Sequence, residues 1–242
     1  MGDDAAPLAH MPKRSNSRLA RSLRTFANIA IFSAVGVPPL GAKDAASSQP
    51  GGDGWTLVSQ TEVITVYQRT RKDSNIHEVK AVGLINAAPL TVKRVLDDTA
   101  EYPHFMPYVT EARVISHSGD IVIGYQRVSP PLISDRDYTM RTRSETQRNA
   151  KGEACYYRRW GPANDLGPAE KSGVVRVKVN EGYWLLEPAA DGRQTKATYS
   201  LYCDSGGSLP AALVNTANRT AVPRIFDGVR KQAKLAKYSA EK

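Results

Sequence analysis

The chain has 242 residues, 41% of them hydrophobic and 24% charged, with a formal net charge of +9. That composition is ordinary for a soluble globular protein of one large or two small domains. The positive charge fits contact with an anionic lipid surface or another acidic partner, and by itself gives no ground for nucleic-acid binding.

Residues 12–24, "PKRSNSRLARSLR", are basic, and residues 25–42, "TFANIAIFSAVGVPPLGA", are apolar and end in small side chains. This order reads as an export signal over residues 1–42, cut after Ala42, for a periplasmic or secreted protein. The apolar run is shorter than the roughly 20 residues of a spanning helix and is closed by Pro38 and Pro39, which favours a removed signal, with an uncleaved membrane tether as the alternative. Removing the segment takes away five basic and two acidic residues and leaves a formal charge of +6. Residues 43–54, "KDAASSQPGGDG", read as a linker, and one domain is expected over 55–242.

Residues 56–69 and 75–86 read as two antiparallel strands around the turn "TRKDS". Pro89 then opens an amphipathic helix with Leu90, Val92, Val95, Leu96 and Thr99 as its apolar stripe, expected to end before Pro103. A strand follows within "HFMPYVTEARVISHSGD", another over 121–128, and then a proline corner at Pro130 and Pro131. Beyond it Tyr138, Met140 and Thr142 alternate with Thr139, Arg141 and Arg143, the period of a half-buried strand. Further strands are expected at "EACYYRRW", "GVVRVKVNEGYWLLEP" and "QTKATYSLYCDS", in an antiparallel meander. Cys155 and Cys203 fall on strands separated by a third, roughly 9–10 Å apart, so both are expected to be free. From Ser208 to Tyr238 apolar residues recur at helical spacing, which predicts one long amphipathic helix, capped by Ser208 and bent or broken at Pro223.

Catalytic patterns are sparse. His77, His104 and His117 lack metal-ligand spacing, and no C-x-x-C, H-E-x-x-H, G-x-S-x-G, P-loop or G-x-G-x-x-G occurs. Asn218-Arg219-Thr220 matches a glycosylation sequon but falls on the expected helix.

The order of two strands, a short helix, many antiparallel strands and a long final helix is that of an α+β helix-grip fold, a curved antiparallel sheet wrapped around a C-terminal helix. Here the chain resembles the START family, the steroidogenic-acute-regulatory-protein-related lipid-transfer domains. The resemblance is carried by "YPHFMPYVTEARVI", "PPLISDRDYTMR", "GYWLLEP" with "TKATYSLYCDSGGSLP", and "LVN" at the start of the last helix. It implies a hydrophobic cavity between sheet and final helix, lipid binding or transfer, and no obligatory cofactor, and the spacing above offers no metal site. Candidate wall residues are Tyr102, Phe105, Tyr125, Tyr156, Trp184 and Tyr199, with Val214, Ala217, Ala221 and Ile225 from the helix. In the family the matching corner introduces a cavity-wall strand, so Asp135, Arg136 and Asp137 read as architectural, with Arg136 partly buried between the two carboxylates. Gly206 and Gly207 read as a turn and a hinge for the helix.

The leading expectation is therefore a non-enzymatic, monomeric carrier of a sterol, phospholipid, fatty acid or similar lipid, in transient contact with an anionic membrane and without a nucleic-acid partner. A cyclase or hydrolase acting on an apolar substrate is the alternative, with Glu111, His104 and His117 as the acid or base candidates. Arg127 and Arg159 are strand residues that could also reach inward. A protein-interaction module would instead show a filled core.

Overall fold

The computed structural model describes residues 54–239. The expected export signal and nearly all of the linker lie outside the described residues. Strands β1 (Thr56–Gln60), β2 (Ile64–Thr70) and β3 (His77–Ile85) open the fold. Helices α1 (Pro89–Asp97) and α2 (Tyr102–Phe105) follow, joined by a 3-10 turn at Thr99–Glu101. Strands β4 (Val109–Ser118), β5 (Ile121–Val128), β6 (Asp135–Arg148), β7 (Ala154–Pro162), β8 (Val174–Arg176), β9 (Val179–Ala189) and β10 (Gln194–Asp204) then lead to α3 (Ala211–Gln232) and the short α4 (Ala236–Ser239). Among the described residues no helix is long and apolar enough to cross a membrane.

The sheet order is β1-β2-β3-β10-β9-β7-β6-β5-β4. The two α-helices after β3 carry the chain to the far edge, and the remaining strands meander back until β10 pairs with β3. All neighbours on this path are antiparallel, whereas β8 leaves it and pairs parallel with the start of β6. Strand β9 lies between β7 and β10, and Cys155 and Cys203 are free.

One half of the sheet is packed tightly. Val66, Val79, Ala81 and Ala197 meet Val92 and Val95 of α1 and Val222, Phe226 and Val229 of α3 in one buried cluster. The Phe226 ring lies so close to Gly83 that a Cβ there would sit 2.8 Å from it. Gly228 likewise lets α3 approach the backbone of α2, where a Cβ would stand 2.3 Å from the Phe105 carbonyl oxygen.

Several local expectations are corrected. Residues 56–69 form two strands, because the Thr61 hydroxyl accepts the Ile64 amide at 3.2 Å and reverses the chain. Pro103 does not end the first helical region but sits in the first turn of α2, where its missing N–H costs nothing. The expected strand over 173–188 is split into β8 and β9. The last helix runs unbroken through Pro223 and is interrupted instead after Gln232. Val222 and Phe226 on either side of the proline are fully buried, so packing holds both halves in one helix. Pro210, not Ser208, precedes its first turn, and no side chain caps it.

Candidate functional site

Helix α3 presents two neighbouring stripes. Val222, Phe226 and Val229 fill the packed half of the molecule, while Ala217, Ala221 and Ile225, spaced by four, face β5, β6 and β7. The alanines are too small to reach the sheet. They leave a cavity of about 260 Å³ between helix and strands.

Strand alternation builds its wall. Val122, Gly124, Gln126 and Val128 of β5 line it, with Arg136, Tyr138, Met140 and Thr142 of β6. Trp184 and Tyr199 close one side, their ring centroids 4.6 Å apart and their planes tilted by 50°. Tyr102 and Met106 close another. The loop between β5 and β6 contributes Pro130 and Ile133, next to the fully exposed Leu132.

Most polar groups on this wall are satisfied by the wall itself. The Tyr138 hydroxyl donates to Gln126 Oε1 at 3.1 Å, Trp160 Nε1 to Asn180 Oδ1 at 3.0 Å, and Asn218 Nδ2 to the Cys203 carbonyl at 2.9 Å. Arg158 is neutralised by Asp97 at 2.6 Å. Burial pushes the hydroxyls of Tyr102, Tyr138 and Tyr199 above the ordinary tyrosine value and raises the Cys203 thiol to about 12. No aspartate, glutamate or histidine lines the cavity among the described residues. A group poised to exchange a proton near neutral pH is therefore not supplied by those residue types.

Of the candidate wall residues, Tyr102, Trp184, Tyr199, Ala217, Ala221 and Ile225 are brought together around this space. Phe105, Tyr125, Tyr156 and Val214 are not. Phe105 packs edge-on against Tyr102 at 5.5 Å, Tyr156 packs against the core, and Val214 is buried off the cavity. Tyr125 faces the opposite side of the sheet, where its hydroxyl donates to Asp137 at 3.2 Å. Glu111 pairs with Arg113, while His104 and His117 are exposed, and none reaches the cavity. Arg127 and Arg159 also point elsewhere, to Asp135 and Glu145 respectively.

The triplet Asp135, Arg136 and Asp137 lies within β6 and splits across the sheet. Asp137 is on the outer face, 1% exposed, and takes Arg176 Nε at 2.7 Å and Nη2 at 3.2 Å. This pair, the β6–β8 ladder and Asn164, which accepts the Thr139 amide at 2.8 Å and donates to the Val177 carbonyl at 2.8 Å, fasten residues 163–177 over that face. Asp135 is held by Arg127 at 2.5 Å and Ser129 at 2.7 Å. Arg136 is not between the two acids, because the strand pleat turns it the other way, into the cavity. The alternation that groups Tyr138, Met140 and Thr142 extends back to Arg136, so the signal was present in the sequence.

Comparison with known proteins fits this architecture. The chain is 27% identical over 178 residues to the phosphatidylcholine transfer protein of Homo sapiens, covering 72% of this chain and 81% of that one. A solved STAR-related lipid transfer protein from Xanthomonas axonopodis is 27% identical and superposes with a TM-score of 0.67, covering 76% of this chain and all of that one. Human StAR-related lipid transfer protein 5, 18% identical, superposes at 0.64 over 76% of this chain and 88% of its own length, which supports the helix-grip fold. The family described as polyketide cyclase / dehydrase and lipid transport matches residues 85–230, more than half of the chain, and the chain belongs to that family.

Proposed function

We propose that this protein binds one lipid in the cavity between α3 and strands β5–β7 and transfers it between membranes. The observation that carries this reading is the cavity itself, roofed by Ala217, Ala221 and Ile225 and walled largely by apolar and aromatic side chains. Enclosing about 500 Å² of apolar ligand surface is worth about 12 kcal/mol relative to water. Most of that is also available in a bilayer, so loading and unloading at a membrane can be nearly balanced while escape into water is slow.

The exposed Leu132 on the β5–β6 loop, next to the wall residues Pro130 and Ile133, would insert at a membrane surface, with the basic excess of the chain drawing it to anionic lipid. The turn at Gly206 and Gly207, both at positive φ, would let the start of α3 move. The basic and apolar stretches over residues 12–42 support export before this takes place.

The family description also covers cyclases, but a cavity with no carboxylate or imidazole among the described residues favours carriage over turnover. An interaction module with a filled core loses its expected feature. Native mass spectrometry of the purified full-length chain, followed by organic extraction, tests the proposal. One lipid per chain is expected, and protein that stays empty after incubation with sterol, phospholipid, fatty acid and quinone would overturn it.

A further inference from the structure

Strand β6 delivers to the cavity one cation that no carboxylate among the described residues faces. Arg136 is 4% exposed. Its Nη1 donates to the Ser134 carbonyl, its Nη2 lies under the Gly207 turn, and its Nε has no hydrogen-bond partner. The acids beside it in sequence are committed elsewhere, Asp135 to Arg127 and Ser129, Asp137 to Arg176 and Tyr125. Arg158, the other cation of the wall, is neutralised by Asp97. Burial lowers the pKa of Arg136, and the charge of Asp135 offsets this only in part. An arginine nevertheless keeps its proton, so an anion entering the cavity would offset the remaining cost of burying the charge.

We infer that Arg136 receives the oxyanion of the bound lipid, so that the preferred cargo is an anionic amphiphile, a carboxylate or a phosphate ester, over a sterol or a zwitterionic lipid. This rests on the lipid-binding proposal above and sharpens it. Such a head would add a charge-assisted hydrogen bond to the part of the Arg136 side chain that lines the cavity, in an environment that excludes water. A sterol hydroxyl brings no charge. A phosphocholine can offer its phosphate and set its quaternary ammonium against the aromatic wall, but its head carries no net charge and leaves the charge of Arg136 uncompensated among the described residues.

The test is competitive loading. The full-length chain is incubated with phosphatidylcholine vesicles containing equal fractions of phosphatidylglycerol, palmitate and cholesterol, recovered, and its bound lipids are quantified by mass spectrometry. Anionic lipid is expected to be enriched about tenfold or more over phosphatidylcholine and cholesterol, relative to the vesicles. Enrichment of palmitate alone assigns the carboxylate, and enrichment of phosphatidylglycerol assigns the phosphodiester. Arg136→Gln is expected to abolish the preference, read as the ratio of anionic to neutral lipid bound, and Arg136→Lys to retain part of it. Loading without head-group preference, or a preference unchanged in Arg136→Gln, overturns this inference and leaves lipid binding standing. No loading of any kind overturns both. Should Arg136→Gln not fold, the preference of the unaltered chain decides the matter.

Discussion

Replacing Arg176 by methionine removes the guanidinium that holds Asp137. The carboxylate is 1% exposed and would keep the Tyr125 hydroxyl at 3.2 Å as its remaining side-chain partner. Breaking a buried ion pair from one side costs about 3–5 kcal/mol, because the remaining charge can neither be solvated nor paired. Arg176 also donates to the Pro168 carbonyl at 3.0 Å, so the segment it ties down over the outer face loses a second anchor. Urea unfolding at neutral pH should therefore show Arg176→Met losing most or all of that amount with an unchanged slope. The double variant Asp137→Leu with Arg176→Met removes both charges and should be less destabilised than the single one, giving a coupling of about 2 kcal/mol or more. If Arg176→Met costs less than about 1 kcal/mol, or if the two substitutions simply add, Asp137 is not the buried, singly compensated charge described here.

Three further outcomes are expected. Ala221→Trp should place an indole in the cavity and lower lipid occupancy about tenfold or more while circular dichroism stays unchanged, because the ring enters empty space; full occupancy would place the lipid elsewhere. Cys203, its thiol raised to about 12 by burial with a contribution from Asp204, should be alkylated at pH 8 at least about tenfold more slowly than an ordinary cysteine, a rate measured by mass spectrometry with mapping to that residue. Glu78 gives a pH dependence: burial opposes its charge, but the Ser200 hydroxyl and Arg69 and Arg71 outweigh burial and hold its carboxyl below the usual value of 4.5. That stability is present above the unfolded value and lost as pH falls through the folded one, so melting temperature should drop below about pH 4.5, and less steeply in Glu78→Gln.

The fold was legible because its signals are local and periodic. Strand β5 falls on residues 121–128 as its flanking turns indicate, and the positive φ of Gly206 and Gly207 is what a pair of glycines before a helix suggests. What the sequence concealed depends on tertiary placement. The Thr61 hydroxyl turn looks like ordinary strand composition. The partition of α3 into a packed stripe and a cavity stripe depends on where the sheet curves away, not on hydrophobicity, since Val214 and Ile225 are equally apolar and only Ile225 faces the space. The same holds for the aromatics: Tyr125 and Tyr199 both sit on strands, and the pleat sends one to the outer face and the other into the cavity. The place of Arg136 is hidden for a different reason. Two flanking acids suggest pairing along the chain, whereas adjacent strand residues point to opposite faces.

The most direct test is to locate the ligand. A photoactivatable fatty acid or phospholipid, loaded into the full-length chain from vesicles and irradiated, should label residues around the cavity, among them Tyr138, Met140, Ala221 and Ile225. Labelling confined to the exposed Leu132 loop or to the edge strand β4, with none inside, would contradict a lipid enclosed between sheet and helix.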